Sequence, residues 1–134
     1  MLTGISFKDK LLPNAFRGTE NAQTVDSWPF IWKDFKAAGY KTLFIEDFLR
    51  TGTFQNRLLG FHEQPTDFYG RLLYMLREKV WKKEVTAEGM CMFGRPRYML
   101  FLDYLLEFIR VHGHGKAFAF GLYNELTHDD NEPV

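Results

Sequence analysis

A chain of 134 residues, 46% of them hydrophobic and 17% aromatic, is long enough for one cored domain and far from a disordered composition. Lysine plus arginine and aspartate plus glutamate number 17 each, so no net field draws in nucleic acid or an acidic membrane surface. The single cysteine, Cys91, excludes an internal disulfide framework and a cysteine-based zinc cage, and no apolar run reaches transmembrane length. Fourteen phenylalanines call for deeper burial than one thin layer supplies, which suggests a piece of a larger fold.

Residues 1–26 are polar and turn-rich, with Pro13 and Gly18, and read mostly as loop. Met1-Leu2-Thr3-Gly4 has neither the basic nor the apolar region of a signal peptide. From 27 to 47 the spacing predicts an αβ unit. Ser27 serves as N-cap, Pro29 suits the first turn, and Trp28, Ile31, Trp32, Phe35 and Ala38 form one helical face. Gly39 ends that helix, and Tyr40–Ile45 follows as a short buried strand that empties into Glu46 and Asp47.

Asn56–Gln64 has room for a helical turn, limited by Gly60 and Pro65. Asp67–Lys83 is expected to be helical, with Phe68, Leu72, Met75, Leu76 and Val80 near one face, and 84–94 to be a loop holding Cys91. A second αβ unit spans 97–130. Its helix, Arg97–Arg110, repeats Met99, Leu102, Leu105, Leu106 and Ile109 at helical spacing, and His112-Gly113-His114-Gly115 breaks it before a strand over Lys116–Tyr123. Two α-then-β units predict an α/β fold with parallel strands covered by helices.

The candidate chemistry lies at the strand ends, where open α/β sheets place their sites. Phe118–Tyr123 delivers Asn124-Glu125-Leu126-Thr127-His128-Asp129-Asp130. His128, between Glu125 and Asp129, is a ligand, an anion donor or a capped loop histidine; neighbouring carboxylates favour its cation. Asp129 and Asp130 fit a site, a turn or the N-cap of a following helix. Glu46 and Asp47 fit a site or a solvated loop. Arg57 suits either an anionic substrate or a structural salt bridge, and Thr53 is a similar candidate. His112 and His114 read as a helix-ending surface turn, Cys91 lacks an adjacent base, Asp103 reads as a structural acceptor, and the basic runs Lys79–Lys83 and Arg95–Arg97 read as solvated surface.

Several ordered words resemble sulfatases. Phe35-Lys36-Ala37-Ala38-Gly39-Tyr40-Lys41-Thr42 is similar to the helix–Gly-Tyr-x-Thr–strand unit that follows the nucleophile segment, and Leu2-Thr3-Gly4 to the end of the nucleophile motif. Phe118–Asp130 resembles the later strand that ends in a substrate-binding histidine and an aspartate. A narrower pattern runs through Pro29–Phe35, Glu46-Asp47, Gly52–Phe54, Gln64–Asp67, Cys91–Gly94, Leu102–Tyr104 and Glu125–Asp130. It resembles an animal family of sulfatase-like proteins, a domain of unknown function within the alkaline phosphatase superfamily, and covers nearly all of residues 1–134.

The resemblance implies a metal-dependent hydrolase of phosphoric or sulfuric esters, with zinc or calcium in the full-length protein and a secretory or extracellular setting. Residues 1–134 would be an internal segment of one such domain, inactive alone, since the nucleophile, the first-strand metal aspartate and the Asp-His-Gly metal motif fall outside it. His128 takes the substrate-anion position, with Arg57 a second substrate contact. Glu46, Asp47, Glu125, Asp129 and Asp130 are the candidate metal ligands. One departure stands out. True sulfatases follow the strand with Gly-Lys-Trp-His, whose Lys and His hold sulfate, whereas this chain has Ile45-Glu46-Asp47-Phe48. Acids there favour an alternative, a non-catalytic binding module.

Overall fold

Lys41–Glu46 combines a threonine with Leu43, Phe44 and Ile45, residues that pack well on a pleated surface, and it forms the first strand, β1. β1 is the middle of a three-stranded parallel sheet. The computed structural model describes residues 2–6, 11–47, 52–79, 91–96 and 98–124. On one side β1 pairs with β2 (Phe68–Tyr69), with Leu43 opposite Phe68 and Phe44 opposite Tyr69. On the other it pairs along its full length with β5 (Ala117–Leu122), from Lys41 opposite Ala117 to Glu46 opposite Leu122. A central parallel strand is covered on both faces, which is why β1 is an almost continuous apolar run.

Alternation along β1 splits the core in two. Phe44 faces a cluster with Trp32, Phe30, Phe54 and Val25, and Trp32 stacks on Phe44 at 5.1 Å and 17°. Leu43 and Ile45 face a second cluster with Tyr74, Phe101 and Phe108. Helix α1 (Ile31–Ala37) supplies Trp32 to the first, while α2 (Arg71–Lys79) and α3 (Met99–His112) cover the second. Full burial of Leu43, Phe44 and Ile45 contributes about 1.5–3 kcal/mol each. The fold is mixed α/β with a parallel sheet flanked by helices, as expected from the sequence.

Local boundaries differ in instructive ways. Helix α1 begins at Ile31 with Phe30 as its N-cap, and Ser27 instead ends a short 3-10 turn, Val25–Ser27. Trp28 is therefore not on a helical face, yet it remains buried, its indole N–H donating to Pro13 O at 3.2 Å. Ile31, expected on the buried face, is 39% exposed. Gly39 closes α1 with φ +81°, a left-handed value that glycine adopts without steric cost.

Phe68 and Tyr69 form β2 rather than the start of a helix, because Asp67 anchors the chain ahead of them. The Asp67 carboxylate accepts the Thr42 N–H at 2.9 Å and the Thr42 hydroxyl at 3.0 Å, and Lys36 Nζ lies 3.1 Å away. Between them, 56–64 forms no helical turn; Leu58 bridges Phe16 in antiparallel fashion. Cys91 lies not in a loop but in a two-residue strand, β3 (Cys91–Met92), which pairs with β4 (Arg95–Pro96) across Phe93-Gly94. Asp103 accepts from Arg95 Nη1 at 2.8 Å, the structural role expected of it. Among the described residues, no helix is long and apolar enough to cross a membrane.

Candidate functional site at the strand ends

Glu46 closes β1, and its partner position in β5 is Leu122, so both strands finish at one edge of the sheet. β2 ends there as well, at Tyr69, and α2 begins one residue later. That tight strand-to-helix turn depends on Gly70. Its N–H donates to Phe44 O at 2.9 Å, and a Cβ at this position would lie 2.4 Å from Ile45 Cγ1. Only glycine lets the backbone pass so close to β1. The result places Arg71 at the same edge as Glu46 and Asp47.

Both acids are buried, Glu46 at 5% exposure and Asp47 at 1%. Glu46 Oε1 accepts the Thr53 N–H at 2.8 Å, fastening the loop after β1 to the strand end. Burial pushes the Glu46 carboxyl above its ordinary value; the Thr53 bonds and Arg71 oppose that, and the charge of Asp47 adds to it. Asp47 turns to the other neighbour. Its Oδ1 accepts the Asn124 N–H at 2.8 Å, and its own N–H donates to Leu122 O at 3.2 Å, so it ties off the end of β5.

Two tyrosines complete the edge. The Tyr69 hydroxyl is hydrogen-bonded by Gln55 Nε2 and by Arg71, and burial raises its pKa strongly. Tyr123 donates to Phe101 O at 3.2 Å, and burial, with the Asp47 charge, pushes it up to about 12. Beside Thr53 opens a cavity of about 350 Å³, lined by Leu2, Thr3, Trp28, Phe30, Thr53 and Phe54 among others. The N-terminal segment Leu2–Ser6 is thereby brought against the loop that follows β1, and Ile31 N–H donates to Leu2 O at 2.9 Å.

Of the residues singled out in the sequence, Glu46, Asp47 and Thr53 meet at this edge. Arg57 does not join them: it is exposed, and its backbone carbonyl takes the Arg17 N–H at 2.9 Å, beside the Phe16–Leu58 bridge. His128, Glu125, Asp129 and Asp130 lie outside the described residues. Gln55, Tyr69, Arg71 and Tyr123 belong to the edge and were not singled out from sequence. The signal for Arg71 was available in Tyr69-Gly70-Arg71, a strand, a tight glycine and a helix start, but Asp67–Lys83 also reads as one helix.

Among the described residues, no three His, Cys, Asp or Glu side chains converge on a point that would hold a metal. Glu46 Oε1 and Asp47 Oδ1 each accept a backbone N–H from a different segment, and Glu46 Oε2 is buried with no hydrogen-bond partner among the described residues.

The model of the family described as "Protein of unknown function (DUF229)" matches residues 1–134. The chain belongs to that family. Comparisons with curated proteins and with solved structures returned no match.

Proposed function

We propose that the chain forms one wall of the substrate site of a sulfatase-like, metal-dependent hydrolase of phosphoric or sulfuric esters in the alkaline phosphatase superfamily. The supporting observation is the cavity of about 350 Å³ between Leu2-Thr3 and Thr53-Phe54, beside the loop that Glu46 fastens to the end of β1. Leu2-Thr3-Gly4 resembles the end of the sulfatase nucleophile motif, so the attacking group would enter this cavity from the segment before Leu2. Open α/β sheets bind ligands at the C-terminal ends of their strands. Arg71 supplies positive charge there, and His128, two residues beyond Leu126 on the chain leaving β5, is the substrate-anion residue of the reading. A divalent metal would polarise the ester oxygens; its candidate ligands are Glu46 and Asp47 at this edge and Glu125, Asp129 and Asp130 beyond it.

A second reading rests on Glu46 and Asp47. Both are buried and hydrogen-bonded to backbone N–H groups, where sulfatases carry an anion-holding Lys and His. Acids used to brace the fold at that place favour a non-catalytic binding module of the secretory or extracellular space.

Calorimetric titration with an aryl sulfate and an aryl phosphate, in the presence of zinc or calcium, tests both. Loss of one charge-assisted contact in His128→Ala is expected to weaken binding about tenfold. Unchanged affinity in the variant would contradict the substrate role of His128. Release of the phenol by the full-length protein selects the hydrolase, and binding without release selects the module.

A further inference from the structure

The cavity beside Thr53 has a neighbour. A second cavity, of about 360 Å³, is lined by the segment Leu12–Phe16, and the two share Ser6, Leu12 and Trp28 as wall residues. Separate stretches of chain build the pair, and each is fastened. Ile31 N–H donates to Leu2 O at 2.9 Å, Gln23 N–H to Asn14 O at 2.8 Å and Leu59 N–H to Ala15 O at 2.8 Å. Thr53 N–H is held by Glu46. The buried rings of Trp28, Phe30 and Phe54 form a continuous wall, with Phe30 at 6.0 Å from Trp28 and 5.0 Å from Phe54 between centroids.

The chemistry of these walls is one-sided. Among the described residues, none that lines either cavity is charged. Most of the polar side chains are already engaged. Thr3 Oγ1 bonds to the Ile5 backbone, and the Thr53 hydroxyl bonds to Glu46. The Asn14 amide donates to Thr19 and accepts the Phe16 N–H, and the Trp28 N–H donates to Pro13 O. A hydroxyl-rich ligand would give up its water here and find few partners, a net cost. An apolar group meets no such cost and gains by burial against the three rings.

We propose that the two cavities form one groove past Trp28 that takes an elongated apolar group, an alkyl chain rather than a sugar. On the hydrolase reading, on which only this clause rests, that group is the alcohol part of the ester, with its anion at the strand-end edge.

The test uses the full chain and a series of straight-chain alcohols, butanol, hexanol and octanol, which carry no anion and need no metal. Amide shifts are followed during titration. Affinity is expected to rise about fourfold for each methylene buried, the equivalent of about 0.8 kcal/mol. Octanol should shift residues on both sides of Trp28, from Thr53 and Phe54 to Ala15 and Phe16. Ser6 is exposed and borders both cavities. Ser6→Asp should therefore leave the denaturant midpoint unchanged and weaken octanol about tenfold, by setting a charge beside the chain. No saturable shift with any alcohol, or octanol shifts confined to one side of Trp28, overturns the proposal. So does undiminished octanol binding by Ser6→Asp, or methyl glucoside binding as tightly as octanol. Alkyl sulfates separate the groove from the hydrolase reading. If octyl sulfate binds no more tightly than octanol, the ester reading fails and the groove stands. If butyl sulfate binds as tightly as octyl sulfate, the groove fails and the ester reading stands.

Discussion

Glu46 and Asp47 are adjacent in the chain but fasten different segments: Glu46 holds Thr53 N–H at 2.8 Å, and Asp47 holds Asn124 N–H at 2.8 Å. One binds the loop that leaves β1, the other the end of β5. The acidic pair therefore acts as a bracket for the C-terminal edge of the sheet, and each half has its own consequence.

Removing the Asp47 half should loosen the end of β5. Asp47→Ala leaves the Asn124 N–H without its carboxylate and is expected to cost about 1.5–3 kcal/mol, the range for a hydrogen bond to a charged group. A denaturant melt gives the loss of stability. Hydrogen exchange should place the added opening at Asn124 and not at Thr53; equal opening at both would show that the two acids act as one unit.

Gly70 couples β2 to α2 through the space beside Ile45. In Gly70→Ala the new methyl meets Ile45 at 2.4 Å, and overpacking of this kind costs about 1–3 kcal/mol. Ile45→Ala alone opens a cavity and is also destabilising. The double variant should be less destabilised than the sum of the two, because the cavity of one receives the methyl of the other. Simple additivity would place the strain elsewhere.

Asp67 carries a pH signature. Burial works against its charge, but the Thr42 N–H, Lys36 and the Thr42 hydroxyl outweigh that and hold its carboxyl below the ordinary value of 3.8. A lowered folded pKa gives stability that is present above the unfolded value and lost as pH falls through the folded one. Asp67→Asn should cost about 1 kcal/mol near neutral pH, discounted for the exposure of Lys36. The difference from wild type should shrink as pH falls below 3.8 in acid melts. A constant difference at all pH values would assign the loss to packing.

The fold class was legible in β1 and β5 because parallel strands packed under helices carry apolar runs, buried in Leu43-Phe44-Ile45 and mostly half-buried in Ala117–Leu122. Helix α3 was equally plain, since its apolar residues repeat over fourteen positions and shift only slightly, to Met99–His112. β2 was hidden for the opposite reason. Two residues, Phe68 and Tyr69, carry no period of their own, and what makes them a strand is the anchoring of Asp67 on Thr42, 25 positions earlier. The same reason concealed part of the site. Glu46 and Asp47 stood out as acids after a strand, but Tyr69 and Arg71 join them only through parallel pairing that no local pattern encodes, and Gln55 through its bond to Tyr69.

Two tyrosines should titrate late. Tyr69 is raised strongly by burial, and Tyr123 is pushed up to about 12. With folded values above the unfolded 10.0, the native state retains protons that the unfolded chain gives up. Stability should therefore fall as pH rises from about 10 through 12. Absorbance of tyrosinate should show these two rings ionising together with alkaline unfolding, and Tyr123→Phe should weaken that pH dependence. Full tyrosine ionisation near pH 10 in the folded protein would contradict the burial of both hydroxyls.

On the proposed function, an anionic ester would bind at the edge formed by Glu46, Asp47 and Arg71, with the cavity beside Thr3 and Thr53. The most direct measurement is amide chemical-shift mapping of the full chain during titration with an aryl sulfate and an aryl phosphate, with zinc or calcium present. Saturable shifts concentrated at Thr3, Thr53, Arg71 and His128 are expected. Saturable shifts confined to another surface, or no saturable shift with either ester, would contradict the proposed site.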